Sequence, residues 1–238
     1  MGKKAEIHRP LSHSKGTVNR GGETLRSAWS GARVDLSAWD EAVDVLSDFR
    51  MAHGYPLQMV ASSLRYHVSK RCVAGDVGQR LKRLPTIIDK LSRHPSMALA
   101  RMQDIGGCRA VVADESDLRL VLRQLRKSNA WTIVNEKDYL ATPKPDGYRA
   151  FHLVVEKEGR AIEIQLRTQG NHDWAELVES VDRRHGLGLK VGRASTDVQE
   201  YFRLGADMIA AREAGAIPDA AAVDRFRDLH ESVGHTLI

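Results

Sequence analysis

The sequence predicts an α/β or α+β fold: a mixed sheet with helices packed on it. Three observations carry this reading. Apolar residues recur at helical spacing through the first part of the chain, short runs of period two take over after Gly106-Gly107, and helical spacing returns beyond residue 171. No internal repeat or low-complexity tract interrupts the pattern.

Residues 8–22 (HRPLSHSKGTVNRGG) are polar and rich in Gly and Ser, and read as loop leading into a short helix. Trp39, Val43, Leu46 and Phe49 then mark a helix, with Ser37 or Asp40 as its cap. Gly54 and Tyr55-Pro56 punctuate before a second helix at 57–70, and Leu84, Ile87, Ile88 and Leu91 form the apolar face of a third at 83–93. Up to this point the pattern is helical.

CRAVVA (108–113) is a strand candidate after the Gly-Gly turn, and Leu118, Val121, Leu122 and Leu125 place a helix behind it. WTIVNE (131–136) and RAFHLVVE (149–156) also read as strands. In AIEIQLRT (161–168) the alternation is strict: Ile162, Ile164 and Leu166 point one way, Glu163, Gln165 and Arg167 the other. Helices at 171–184, 196–213 and 220–233 close the chain.

At 238 residues with 42% hydrophobic and 28% charged side chains, the chain can bury one sizeable core and suits a soluble globular protein. No apolar run approaches the roughly 18 residues needed to cross a bilayer, and no apolar region follows the basic start as a secretory signal requires. Cys72 and Cys108 lack metal-ligand spacing and are too few for a disulfide framework, which fits a reducing cytoplasm. Charge is unevenly placed. Lys3, Lys4, Arg9, Lys15, Arg20, Arg26 and Arg33 face only Glu6 and Glu23 within residues 1–33, so the whole net charge of +5 sits there. Such a basic arm can bind RNA phosphates by counterion release, although a partly disordered, solvated leader is the simpler reading of the charge alone.

The residues with chemistry form four groups. The polar face at 161–168 sets a carboxylate, an amide and a guanidinium in register, suited to a hard cation, a hydrogen-bond fork and an anion. DIGGCR (104–109) places Asp104 at the mouth of a strand and Arg109 just inside it, so Asp104 and Glu163 can share one Mg²⁺ from different elements. Arg80, Lys82, Lys90 and Arg93 form a basic ladder able to hold a triphosphate, Lys90 and Arg93 lying three apart on one helix face. PKPDGYRAFH (143–152) shapes a loop with a stacking ring at Tyr148 and a histidine, His152, on the strand that follows.

Together these groups, over roughly residues 76–185, resemble the synthetase domain of the RelA/SpoT family. The family's R-x-K-x-x-x-S-x-x-x-K pattern is met by Arg80, Lys82, Thr86 and Lys90, with Thr replacing Ser, and D-[IL]-x-G-x-R by Asp104 to Arg109. The acceptor loop is met by Thr142 to His152, and E-[IV]-Q-[IL]-R-T by Glu163 to Thr168. The resemblance implies a five-stranded mixed sheet of nucleotidyltransferase-like type. It divides the chain into a basic arm (1–35), a helical element (36–75), a synthetase domain (76–190) and C-terminal helices (191–238).

It also implies a reaction: the β,γ-pyrophosphate of ATP passes to the 3′-hydroxyl of GDP or GTP, and AMP leaves. Mg²⁺ would sit on Asp104 and Glu163. Lys82, Lys90 and Arg93, with Thr86, would bind the triphosphate while Arg80 and Arg109 sandwich adenine. Tyr148 would stack on the acceptor base, with Lys144, His152, Gln165, Arg167 and His172 around it. For the base that takes the 3′ proton, the small synthetases' position falls on Val178 and the long synthetases' on Glu176. Glu176 is thus the first candidate and Glu179, on the same helix face, the second. His172 also matches the long type. Asn135-Glu136-Lys137-Asp138 meets half of the long bifunctional pattern R-x-K-D, leaving GDP against GTP open. The competing function is a toxin of the same fold that pyrophosphorylates the tRNA 3′ end, gripping RNA through the arm. An antitoxin or a second copy of the chain are the further candidate partners; a membrane is not.

Overall fold

The computed structural model describes residues 11–71, 75–189 and 192–237. Three helices open it: α1 (Lys15–Trp29), α2 (Leu36–Met51) and α3 (Gly54–Arg71). Strand β1 (Gly75–Leu81) and helix α4 (Leu84–Arg93) follow, then β2 (Gly106–Val112), α5 (Glu115–Arg126), β3 (Thr132–Asp138), β4 (Phe151–Lys157) and β5 (Arg160–Thr168). Helices α6 (Gln169–His185), α7 (Thr196–Glu213) and α8 (Ala220–Leu229) finish the chain, with a short π-helical turn at His230–Gly234 and a last turn at His235–Leu237.

The five strands form one sheet in the order β1-β2-β5-β4-β3. Only β2 and β5 run parallel; the other neighbours are antiparallel. Ile162, Ile164 and Leu166 point into a core with Cys108, Ala110, Leu153 and Val155, covered by Leu57, Val60 and Leu64 of α3 and Leu118, Val121 and Leu122 of α5. Helices thus cover one face of the sheet. The opposite face carries Arg109, His152, Glu163 and Gln165 and opens onto a cavity.

Three expectations change. β1 was not foreseen: the segment carrying Arg80 is an edge strand antiparallel to β2. Its two glycines and half-exposed side chains leave no periodic signal, and β2 alone supplies its ladder of hydrogen bonds. Of the stretch 8–22, expected as loop leading into a short helix, residues 11–14 are loop and the helix begins at Lys15, capped by Ser14, which accepts from Thr17 N. Val18 and Leu25 are buried against Val45, Leu46, Leu91 and Leu99, and Arg26 donates to the carbonyls of Leu91 and Met97. Residues 15–29 are therefore a core helix rather than a solvated leader; Lys3, Lys4, Arg9 and Cys72 lie outside the described residues. Lastly, the cap of α2 is Asp35, which accepts from Ser37 N and Ala38 N.

The C-terminal helices fold back onto the sheet's own helix. Trp174, Val178 and Val181 of α6 pack with Val198, Tyr201 and Phe202 of α7 and Leu229 of α8. Trp174 Nε1 donates to the Phe202 carbonyl (2.9 Å). Among the described residues no helix is long and apolar enough to cross a membrane.

Candidate active site

The open face of the sheet floors a cavity of about 890 Å³. Strand order decides what stands where. Glu163 and Gln165 lie on the central strand β5, with Arg109 of β2 and Arg80 of β1 to one side and His152 of β4 and Lys137 of β3 to the other. Register brings them level: Gly107 is opposite Glu163, Arg109 opposite Gln165, and His152 opposite Gln165 on the other flank. Gly106, where the chain enters β2, has to be small, because a Cβ would lie 2.8 Å from Ile162 Cδ1.

On the β1–β2 side, Asp104 is the hub. Its Oδ2 accepts from Lys90 Nζ (2.7 Å) and Lys82 Nζ (3.1 Å). Burial works against ionising this carboxyl, yet the two ammonium groups outweigh it and hold its pKa below the usual carboxylate range. The other oxygen, Oδ1, is buried and accepts no hydrogen bond among the described residues. Glu163 Oε1 meets His152 Nδ1 (3.0 Å) and Oε2 accepts from Gln165 Nε2 (2.8 Å). Burial again opposes the charge, His152 and Gln165 favour it, and Asp104 lies close enough to repel; the pKa is lowered on balance.

Two half-buried acids that repel each other, one with a buried orphaned oxygen, fit a hard divalent cation. Among the described residues no group of three or more His, Cys, Asp or Glu could hold a metal alone.

On the β4–β3 side, Tyr148 is the centre. Its hydroxyl pairs with His152 Nε2 (2.8 Å) and accepts from Arg167 NH2 (3.1 Å). Lys144 Nζ lies 4.6 Å and Arg167 Cζ 5.2 Å from its ring centre, and Tyr139 meets both Tyr148 and His152 edge-on. Burial raises the Tyr148 pKa, so the hydroxyl stays protonated. Asn135 and Lys137 line the cavity, while Glu136 pairs with Arg126 and Asp138 with Arg119.

Helix α6 supplies the third wall with Glu176, Glu179 and Arg183. Glu176 Oε1 accepts from Arg109 NH1 (3.1 Å). Val178 is 3% exposed and packs into the C-terminal core, so that position offers the cavity nothing.

The cavity thus gathers Arg80, Lys82, Lys90, Asp104, Arg109, Lys144, Tyr148, His152, Glu163, Gln165, Arg167, Glu176 and Glu179. Three expected residues are not on its wall. Arg93, instead of joining Lys90, pairs with Asp89 one turn back (2.9 Å) on the exposed side of α4. Thr86 makes no cavity contact. His172 stands behind Glu176 at 3.9 Å, its pKa lowered by burial and then by Arg109 and Arg167. Tyr139, Gln103 and Arg183 are lining residues that sequence reasoning did not single out. An aromatic next to the motif Asn135–Asp138 was the available signal for Tyr139.

Residues 79–182 match the family model described as the region found in RelA / SpoT proteins. The chain is 33% identical over 161 residues to the GTP pyrophosphokinase YwaC of Bacillus subtilis, covering 61% of this chain and 69% of YwaC. It is 30% identical over 132 residues to the GTP pyrophosphokinase YjbM of the same organism, covering 49% of this chain and 63% of YjbM. The fold is similar to that of small alarmone synthetase 1 from Bacillus subtilis bound to its product pppGpp, with a TM-score of 0.57 and 22% identity over 77% of this chain and 93% of that one.

Proposed function

The chain belongs to the RelA/SpoT family, and from that premise we propose that it is a pyrophosphokinase moving the β,γ-pyrophosphate of ATP onto the 3′-hydroxyl of GDP or GTP. The observation that carries this reading is the pair of acids at the open sheet face, Glu163 on β5 and Asp104 just before β2, with both lysines on Asp104 Oδ2 and, among the described residues, no hydrogen-bond partner for its buried Oδ1. Relatives named GTP pyrophosphokinases support the acceptor class.

The residues divide the work. Asp104 and Glu163 would hold Mg²⁺, which when bound supplies Lewis-acid stabilisation of charge on the phosphate oxygens. Lys82 and Lys90, which neutralise Asp104 in the free protein, become cations for the triphosphate. Arg80 and Arg109 are diagonal neighbours on β1 and β2, opposite Gly107 and Gly78, and so present two guanidinium planes to adenine. Tyr139, Tyr148 and Lys144 form the pocket for the acceptor base and phosphates.

In the reaction, the 3′-oxygen forms a bond to the β-phosphorus of ATP. The bond from that phosphorus to the α,β-bridging oxygen breaks, and AMP leaves with that oxygen. The 3′ proton goes to a carboxylate of α6, Glu176 first and Glu179 second. Arg109, bonded to Glu176, would keep that carboxylate aimed into the cavity.

The alternative acceptor, the tRNA 3′ end, relied on a free basic arm, and Arg26 of that arm is already spent on core carbonyls. A direct test incubates the protein with γ-labelled ATP, Mg²⁺ and either GDP, GTP or bulk tRNA. Label on a guanine nucleotide is expected. Label on tRNA alone overturns the acceptor, and label on none overturns the enzymatic reading.

A further inference from the structure

Helix α7 lies outside the segment that matches the family, residues 79–182, yet it grips the acceptor loop at two points. Gly147 adopts a left-handed φ of 89° and lies flat on the helix. A Cβ there would fall 2.8 Å from Ala206 Cβ and 3.1 Å from Arg203 Cα. Two residues on, the Arg149 guanidinium joins the loop to the helix: NH1 donates to the Leu140 carbonyl (3.3 Å) and NH2 to Asp207 Oδ1 (2.9 Å). Asp207 Oδ2 accepts in turn from Arg203 NH1 (2.9 Å), one turn back on α7, which orients the carboxylate.

Between Leu140 and Arg149 the chain is a tight loop. Lys144 N donates to the Tyr148 carbonyl (3.1 Å) and Tyr148 N to Asp146 Oδ1 (3.0 Å). Lys144 and Tyr148, the loop's two residues proposed for the acceptor, are therefore held between ends that Arg149 ties together. Asp207 itself does not line the cavity. The far end of α7 is fastened separately: Glu213 accepts from Thr168 Oγ1 (2.8 Å), Asn171 Nδ2 (3.2 Å) and Gly170 N (3.1 Å) at the start of α6.

We infer that Asp207 is a positioning residue for the acceptor: through Arg149 it holds the loop that carries Lys144 and Tyr148, and it leaves the ATP side alone. The inference rests on the acceptor reading above. Because the Asp207 side chain is 40% exposed and Glu213 still anchors α7, Asp207→Ala keeps the fold.

The test compares the full-length wild type, Asp207→Ala and Asp207→Glu, measuring KM for GDP and for ATP by label transfer. Hydrogen exchange over residues 139–150 is followed beside that over 84–93. Asp207→Ala is expected to raise KM for GDP about fivefold or more with KM for ATP within about twofold. Exchange should quicken in 139–150 only, and Asp207→Glu should recover most of both effects. Equal KM values in wild type and Asp207→Ala, a parallel rise for both substrates, or unchanged exchange in 139–150 overturns the inference. A wild type that labels no guanine nucleotide sinks the acceptor reading instead, and the exchange data alone then decide whether Asp207 holds the loop.

Discussion

Replacing Asp104 with Asn removes a charge from the point where Lys82 and Lys90 converge. The three side chains are 20–24% exposed, so their pairing is only partly screened by water. A hydrogen bond to a charged partner contributes about 1.5–3 kcal/mol and a neutral one about 0.5–1.5 kcal/mol. Asn keeps the lysines' charged donors but loses the carboxylate, so each bond weakens by about 1–1.5 kcal/mol, and with relief of the Asp104–Glu163 repulsion the net cost is about 2 kcal/mol. In a chain of this size that lowers Tm by about 4–8 °C. Because the lysines hold the Asp104 pKa below its ordinary value, the stabilisation is complete above the unfolded carboxylate pKa of about 4 and is lost as pH falls through the folded value. Calorimetry at pH 7 should therefore show the full difference between wild type and Asp104→Asn, and a series into acid should show it closing. Turnover should fall by about a hundredfold or more at pH 7. An Asp104→Asn protein as stable as wild type at pH 7, or a gap that widens in acid, would refute the reasoning. Repulsion between the two acids would then outweigh the lysines, and the lysines would serve the ligand alone.

Two further expectations follow from the same geometry. Glu176→Gln should lower kcat by about a hundredfold or more at saturating ATP and acceptor, and Glu179→Gln by less than about tenfold; the reverse ranking moves the base to Glu179. His53 is 1% exposed, its Nδ1 donates to the Phe49 carbonyl (2.7 Å), and burial lowers its pKa from 6.5 to about 4. The unfolded chain takes up that proton first, so the stability His53 contributes is full above pH 6.5 and about 3 kcal/mol of it is lost on approach to pH 4. Urea midpoints across that range should show the loss, and His53→Leu should flatten it.

Much of this architecture was legible in the chain. Strict alternation at 161–168 is a property of the extended backbone, and it separated Ile162, Ile164 and Leu166 from Glu163, Gln165 and Arg167 as the structure does. The helix at 196–213 is likewise plain from its spacing. β1 was hidden because an edge strand with two glycines owes its form to a partner some thirty residues away. α1 was hidden for a related reason. Gly21 and Gly22 weaken a helix in isolation, but here they let α2 and the Leu99 turn approach, a Cβ on Gly22 lying only 2.7 Å from Leu99 Cβ.

The site shows the same division. The sequence by itself determined which side chains could bind phosphate and cation, because spacing and chemical type are local properties. Which of them act together was decided only in three dimensions. Lys90 and Arg93 are equivalent by spacing, but Asp104 draws Lys90 inward while Asp89 holds Arg93 on the outer face. A cation's direction depends on the nearest carboxylate, and for Asp104 that proximity exists only once β2 has joined the sheet.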